Sequence, residues 1–222
     1  MDRAHRRRNR TLFELVKSGG WLMVPLIAAS VVALAIIGER LWTLRKSKVV
    51  PRHLVAQVWH WSKNKQLDNA HINLLRTSSP LGRVLAAGLV NRHHSREVIR
   101  ETIEDTGRHV IHELERYLNS LGTISVISPL LGLLGTVVGI MKVFDTIRVT
   151  GVGNPNVLSG GIAEALITTV AGLSVAIPSL MFYRYLRGRV DELVIEMEQE
   201  AIKLVEVLQG MRERDGTEGD ER

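Results

Sequence analysis

No cysteine occurs among the 222 residues, which excludes disulfides, thiolate metal sites and cysteine nucleophiles. Charge is missing too, but only locally: three stretches are almost free of Asp, Glu, Lys and Arg, and the charged residues gather between and beyond them. No run of residues competes as a strand, so the reading is helical throughout. Gly132–Thr136 is not a P-loop, because no Gly-Lys-Ser/Thr follows it. The histidines carry no H-E-x-x-H arrangement. His93-His94 and the His109/His112 pair therefore read as solvated side chains rather than metal ligands, although i, i+3 spacing can present two imidazoles to one ion. These absences argue against an enzyme, and nothing in the sequence calls for a cofactor.

What is present is hydrocarbon-length apolar sequence. The first stretch runs from Trp21 to Gly38 and is closed by Glu39-Arg40-Leu41-Trp42, with Trp21 and Trp42 as interfacial aromatics. A cleaved signal peptide is the competing reading, with Ala33-Leu34-Ala35 as the cut. The basic start is long for that, and the apolar run continues past the cut, which favours an uncleaved helix. The second stretch is Ile124–Phe144 and the third Ile162–Tyr185, each near the roughly twenty residues that span hydrocarbon.

Between the first two stretches lies a polar region punctuated by Pro51 and by Ser79-Pro80, the latter a helix N-cap followed by a first-turn proline. From Glu97 onward, Ile99, Ile103, Val110, Leu114, Leu118 and Leu121 mark one face of a helix leading into the second span. Gly151, Gly153, Asn154-Pro155 and Gly160-Gly161 predict a turn-rich link before the third. After Tyr185, Val190, Leu193, Val194, Met197, Ala201, Leu204, Val205 and Leu208 form an amphipathic stripe, so the third span continues as a helix into water.

The formal net charge is +6. The run Arg6, Arg7, Arg8 and Arg10 has no aromatic platform or DNA-binding motif beside it. Anionic membrane lipid, not nucleic acid, is the expected partner of this charge. Basic residues also set orientation. The link between spans two and three has only Arg148, whereas Arg108 and Arg116 precede span two and Arg184, Arg187 and Arg189 follow span three. The hairpin thus opens to the cytoplasm. Three spans then place the N-terminus in the periplasm, against the sign of its arginines.

The expected architecture is an all-α integral membrane protein with three transmembrane helices, the second and third extended into the cytoplasm. Residues 1–20 form a basic N-terminal segment, 21–44, 121–145 and 162–185 the transmembrane helices, and 45–120 a cytoplasmic helical region. Residues 146–161 make a short periplasmic loop, 186–211 a cytoplasmic amphipathic helix and 212–222 a disordered tail.

Turning each helix by about 100° per residue splits spans two and three into faces. Ser125, Ser128, Pro129, Gly132, Gly135, Thr136 and Gly139 share one side of span two, opposite Ile127, Leu130, Leu131, Leu134, Val138 and Met141. Glu164, Thr168, Thr169, Gly172, Ala176 and Ser179 share one side of span three, opposite Ile162, Leu166, Val170, Leu173, Ile177 and Met181. Small residues four apart, Gly135 and Gly139 among them, allow backbones to approach closely and point first to helix packing. A three-helix monomer has little interior for these stripes, so a ring-forming oligomer is expected to enclose them.

Glu164 stands out, since an ionisable group in a span costs about 3 kcal/mol on insertion scales and is usually functional. Burial disfavours its charged form, which makes proton uptake and release accessible. A position near the outer end leaves an interfacial carboxylate as the alternative. Thr136, Thr168 and Thr169 have hydroxyls suited to a water or proton path. They are equally able to bond their own helix carbonyls and do nothing more.

The same stretches resemble the MotA/TolQ/ExbB family of proton-channel proteins. The likeness rests on the run Pro129-Leu130-Leu131-Gly132-Leu133-Leu134-Gly135-Thr136-Val137-Val138-Gly139-Ile140-Met141 and on Gly161-Ile162-Ala163-Glu164-Ala165-Leu166-Ile167-Thr168-Thr169, continued to Ala176-Ile177-Pro178. It is strong over residues 120–185 and weaker over Leu12–Arg45. The resemblance implies a homopentamer around a pore that holds a dimer of a single-span partner of the ExbD or TolR type. It implies further that the proton-motive force drives that partner and, through it, a TonB- or TolA-type transducer. By matching motif positions, Thr136 and Thr169 correspond to pore threonines and Glu164 to the glutamate of span three. Thr168 stands where relatives carry a small apolar residue. General likeness favours the ExbB branch, with TonB-dependent outer-membrane uptake as the process and the bacterial inner membrane as the location. A TolQ-like role in envelope maintenance and a non-conducting membrane scaffold are the alternatives.

Overall fold

A computed structural model describes residues 19–63, 68–151 and 155–220, and every regular element among them is an α-helix. In chain order these are α1 (Met23–Thr43), α2 (Lys46–Val49), α3 (Leu54–Lys63), α4 (Asn69–Ser78), α5 (Pro80–Val90), α6 (Arg96–Leu114), α7 (Leu118–Thr150) and α8 (Pro155–Asp220). The chain divides into two compact units, one of Met1–Gly38 with Tyr117–Tyr185, the other of Glu39–Arg116 with Leu186–Arg222. The basic run at Arg6–Arg10 lies outside the described residues.

Three helices are long and apolar enough to cross a membrane, and they fall on the three expected stretches. The 21 residues of α1 rise about 32 Å at 1.5 Å each, just the thickness of a hydrocarbon core. In the first unit, burial along α7 recurs at Leu118, Leu121, Ser125, Ser128, Gly132, Gly135 and Gly139, alternating steps of three and four. Along the facing part of α8 the buried residues are Ala165, Thr168, Gly172, Ala176 and Ser179. The opposite faces, including Leu130, Leu134, Met141, Leu166, Val170 and Met181, are exposed apolar surface, as a helix facing lipid requires. Helices are the only open backbone arrangement that satisfies its own hydrogen bonds there. Pro129 and Pro178 each remove one such bond inside α7 and α8.

Two boundaries differ from the sequence reading. The link expected over 146–161 is mostly helical, because α7 runs to Thr150 and α8 begins at Pro155. Proline at the first helical position starts a helix well, and Gly160 and Gly161 then lie inside it. Gly151, at φ 74°, closes α7 by donating its N–H to the carbonyl of Ile147 at 2.9 Å. The helix of the C-terminal part extends to Asp220 rather than ending at 211; Met211, Arg212, Glu213 and Arg214 are good helix formers that carry it past 211, while propensity does not account for the stretch with Gly216 and Gly219. The expected helix leading into span two is also interrupted. It breaks at residues 115–117, where Tyr117 takes a left-handed φ of 65°.

In the second unit, α5 packs against both α4 and α6. Its core joins Leu81, Val84, Leu85 and Leu89 of α5 to Ile99, Ile103, Val110 and Leu114 of α6, with Leu186, Val190, Leu193, Met197, Ala201 and Leu204 of α8 also buried. Ser79 caps α5 as expected, accepting from the N–H of Gly82 at 3.0 Å with Pro80 in the first turn. Asp68 does the same for α4 through the N–H of His71 at 2.9 Å. Arg40, buried at 4 % exposure, donates to the carbonyls of Leu114 at 3.2 Å and Glu113 at 3.4 Å. It thereby supplies a donor to the Leu114 carbonyl at the C-terminus of α6 and a second one to the Glu113 carbonyl, which also accepts from the N–H of Arg116 at 3.3 Å.

Candidate functional site

The site lies in the first unit, where α7 and α8 run side by side. Small residues decide the approach. A Cβ on Gly132 would come within 3.1 Å of the Thr168 carbonyl oxygen and the Thr169 Cα, and one on Gly172 within 3.1 Å of the Gly132 Cα. A Cβ on Gly139 would stand 2.8 Å from the Ala165 methyl and from the carbonyl oxygen of Gly161. One on Gly135 would collide with the side chain of Thr168. The two backbones are therefore in direct contact along several turns, which only glycine permits.

The three threonines have different surroundings. Thr169 reaches across the seam and donates to the carbonyl of Gly132 at 3.1 Å, with a weaker bond to its own helix at Ala165, 3.3 Å. Thr168, 1 % exposed, donates to the carbonyls of Ala165 and Glu164 at 2.9 and 3.1 Å. Thr136 donates to Leu133 at 2.6 Å and is half-buried. Each hydroxyl proton is thus placed on a backbone carbonyl, as buried or lipid-facing hydroxyls tend to be. Their oxygens retain lone pairs for a further donor.

Glu164 sits one turn before Thr168 on α8, and its side chain is 21 % exposed. Its Oε1 accepts from Lys142 Nζ of α7 at 2.6 Å. The backbone of Gly20, at φ 69°, approaches the same oxygen so closely that a Cβ there would overlap it. Segments from all three apolar helices and their flanks therefore converge on one carboxylate. Lys142 and Gly20 are absent from the sequence-derived candidates. The signal for Lys142 was available, since a cation inside an apolar run demands a partner; Gly20 offered none.

Other candidates stand apart from this cluster. His93, His94, His109 and His112 are exposed, and among the described residues no three metal-ligating side chains gather.

The sequence pattern of the MotA/TolQ/ExbB proton channel family matches residues 76–199, more than half of the chain. The chain belongs to the MotA/TolQ/ExbB proton channel family. Among its relatives is a putative biopolymer transport protein, ExbB-like 1, of Synechocystis, 36 % identical over 185 residues that cover 80 % of this chain and 70 % of the relative. The biopolymer transport protein ExbB of Salmonella typhimurium is 33 % identical over 176 residues, 73 % of this chain and 70 % of that protein. The Tol-Pal system protein TolQ of Haemophilus influenzae is 42 % identical over 81 residues, 36 % of each chain. The family is one of energiser channels rather than of enzymes, and three helices long and apolar enough to cross a membrane fit a multi-pass protein of that type.

Proposed function

We propose that this chain is the proton-channel subunit of a bacterial inner-membrane motor, coupling the proton-motive force to a single-span partner of the ExbD or TolR type. The observation that carries the reading is Glu164. It is an ionisable side chain set at the start of an apolar helix and mostly shielded from solvent, an arrangement that is costly unless used. Thr136 and Thr169 offer hydroxyl oxygens on the neighbouring turns of α7 and α8. The hairpin opens to the cytoplasm, as the lysines and arginines around it favour, and three spans then make the N-terminus periplasmic against the sign of its own arginines. The small faces of α7 and α8 close against each other within one chain, and several copies, a pentamer by family likeness, set the polar positions Glu164 and Thr136 towards a central space.

The ExbB-like branch, energising TonB-dependent uptake, is favoured because likeness to the ExbB protein of Salmonella typhimurium and to the ExbB-like protein of Synechocystis extends over 73 % and 80 % of the chain, whereas likeness to the TolQ protein covers 36 %. The decisive experiment is proton flux into liposomes carrying the chain together with its single-span partner, wild type beside Glu164→Gln and Thr169→Ala. Flux that needs the partner and falls in both variants, with assembly intact, supports the channel. Equal fluxes from an intact complex make those residues structural. No flux from an assembled complex, even with the transducer added, favours the scaffold.

A further inference from the structure

We infer that Lys142 is a positioning residue that acts through Glu164, an electrostatic latch that holds the carboxylate in an ion pair and keeps the resting chain from passing protons. The inference rests on the channel reading of Glu164 given above and goes beyond it in assigning the state in which the site waits.

The geometry supports a latch rather than an incidental surface contact. The pair is short, 2.6 Å, and joins two different helices, α7 and α8. Its acid is 21 % exposed and its base 51 %. The ammonium, half-exposed at the end of the apolar stretch of α7, has room to swing away from the seam while the more buried carboxylate stays behind. Gly20 leaves the third side of the carboxylate bounded by bare backbone in a left-handed turn, so no Gly20 side chain obstructs rotation of the acid once the lysine has left. Other charges nearby are already engaged. Further along α7, Arg148 pairs with Asp145 at 3.0 Å, one helical turn apart. Among the described residues, Lys142 is the cation that meets Glu164.

A proton arriving at Oε1 must displace the lysine, which remains charged and swings away from the seam. While the pair is closed, Oε1 is occupied by the ammonium and the carboxylate is held against α7. An event that draws Lys142 away, such as an anionic group of the single-span partner, would free the acid at the moment when coupling is needed. Latch and partner thereby compete for the same cation.

The test compares passive proton leak in liposomes holding the chain alone with partner-driven flux in liposomes holding the chain and its single-span partner. The variants are Lys142→Gln, Lys142→Met, Lys142→Arg, Glu164→Gln and the double Lys142→Gln/Glu164→Gln. Chromatography in detergent establishes that each assembles as wild type does, and Lys142→Met keeps most of the apolar stem should Lys142→Gln fail to assemble. Loss of the latch charge is expected to raise the partner-free leak by up to about fivefold, the span that a half-exposed ion pair supports. Lys142→Arg should stay close to wild type. The double variant should return to the wild-type leak, a suppression that a merely loosened structure would not show. A leak that is unchanged or lower without the lysine, or one that persists in the double variant, overturns the latch. Partner-driven flux that falls in Glu164→Gln while neither neutral variant leaks sinks the latch alone. Flux that is equal in wild type and Glu164→Gln sinks the channel reading and the latch together.

Discussion

Replacing Gly172 by alanine should damage the seam between α7 and α8 out of proportion to one methyl group. The added Cβ would lie 2.5 Å from the carbonyl oxygen of Ser128, 3.1 Å from the Cα of Gly132 and 3.2 Å from its nitrogen. All three atoms are backbone, so no side chain can rotate away. A carbon–oxygen contact relaxes only at about 3.3 Å, which requires the helices to part by most of an ångström locally. Overpacking of this kind costs about 1–3 kcal/mol. Separation also lengthens the bond from Thr169 to the Gly132 carbonyl, now 3.1 Å, for about 1 kcal/mol more. The expected loss is therefore about 2–4 kcal/mol. Gly160→Ala is the control, since nothing lies within 4 Å of a Cβ there; helix propensity alone makes that change neutral or stabilising by up to about 1 kcal/mol. Reversible unfolding in mixed detergent micelles, titrated with a denaturing detergent, measures both. Stabilities of the two variants within about 0.5 kcal/mol of each other would refute backbone contact at Gly172.

The second unit supplies two further tests. Arg40→Gln should cost about 2–4 kcal/mol, because it leaves carbonyls at the end of α6 without their buried charged donor; amide exchange should speed up in α6 first, and unchanged protection there would count against the role. Arg83 binds Glu113 through both guanidinium nitrogens, at 2.8 and 2.6 Å, and holds its carboxyl below the ordinary value of 4.5. With the folded value depressed, the stabilisation is complete above the unfolded value and is lost as pH falls through the folded one. Glu113 is 55 % exposed, so the gain stays under about 1 kcal/mol. Arg83→Gln should flatten that acid limb below about pH 4.5 in thermal melts; identical acid limbs would mean that the pair contributes nothing.

Much of this fold was legible because its strongest signal is periodic. Rotation by 100° per residue placed Ser125, Ser128, Gly132, Gly135 and Gly139 together, and the structure buries all five. The same rotation separated Thr168, Gly172, Ala176 and Ser179, which are buried, from Leu166, Val170 and Met181, which are exposed. Legibility failed where the deciding contact is non-local. Lys142 signals that it needs a partner but not which one, since Glu164 is 22 positions away on another helix. Arg40 read as the charge that closes a span, yet its guanidinium caps a helix 73 residues downstream. The break at Tyr117 had no local herald, because a left-handed φ is announced by glycine or asparagine and not by tyrosine. Gly160-Gly161 misled in the opposite sense, reading as a turn although Gly161 lies within α8 against Val143.

Backbone contact along α7 and α8 has a consequence for water. A water molecule needs about 30 Å³ of its own, and a seam in which the Gly132 Cα nearly touches Gly172 has no such room. A hydrated wire cannot thread between these two helices of one chain. It must follow the outside of the hairpin, where Thr136 is half-buried and the Glu164 carboxylate partly emerges. An outer surface is only one wall of a conduit, and lipid cannot serve as the other. The seam of a single copy is therefore dry, and wetting of the polar face beside it must be created by whatever molecule lies against that face.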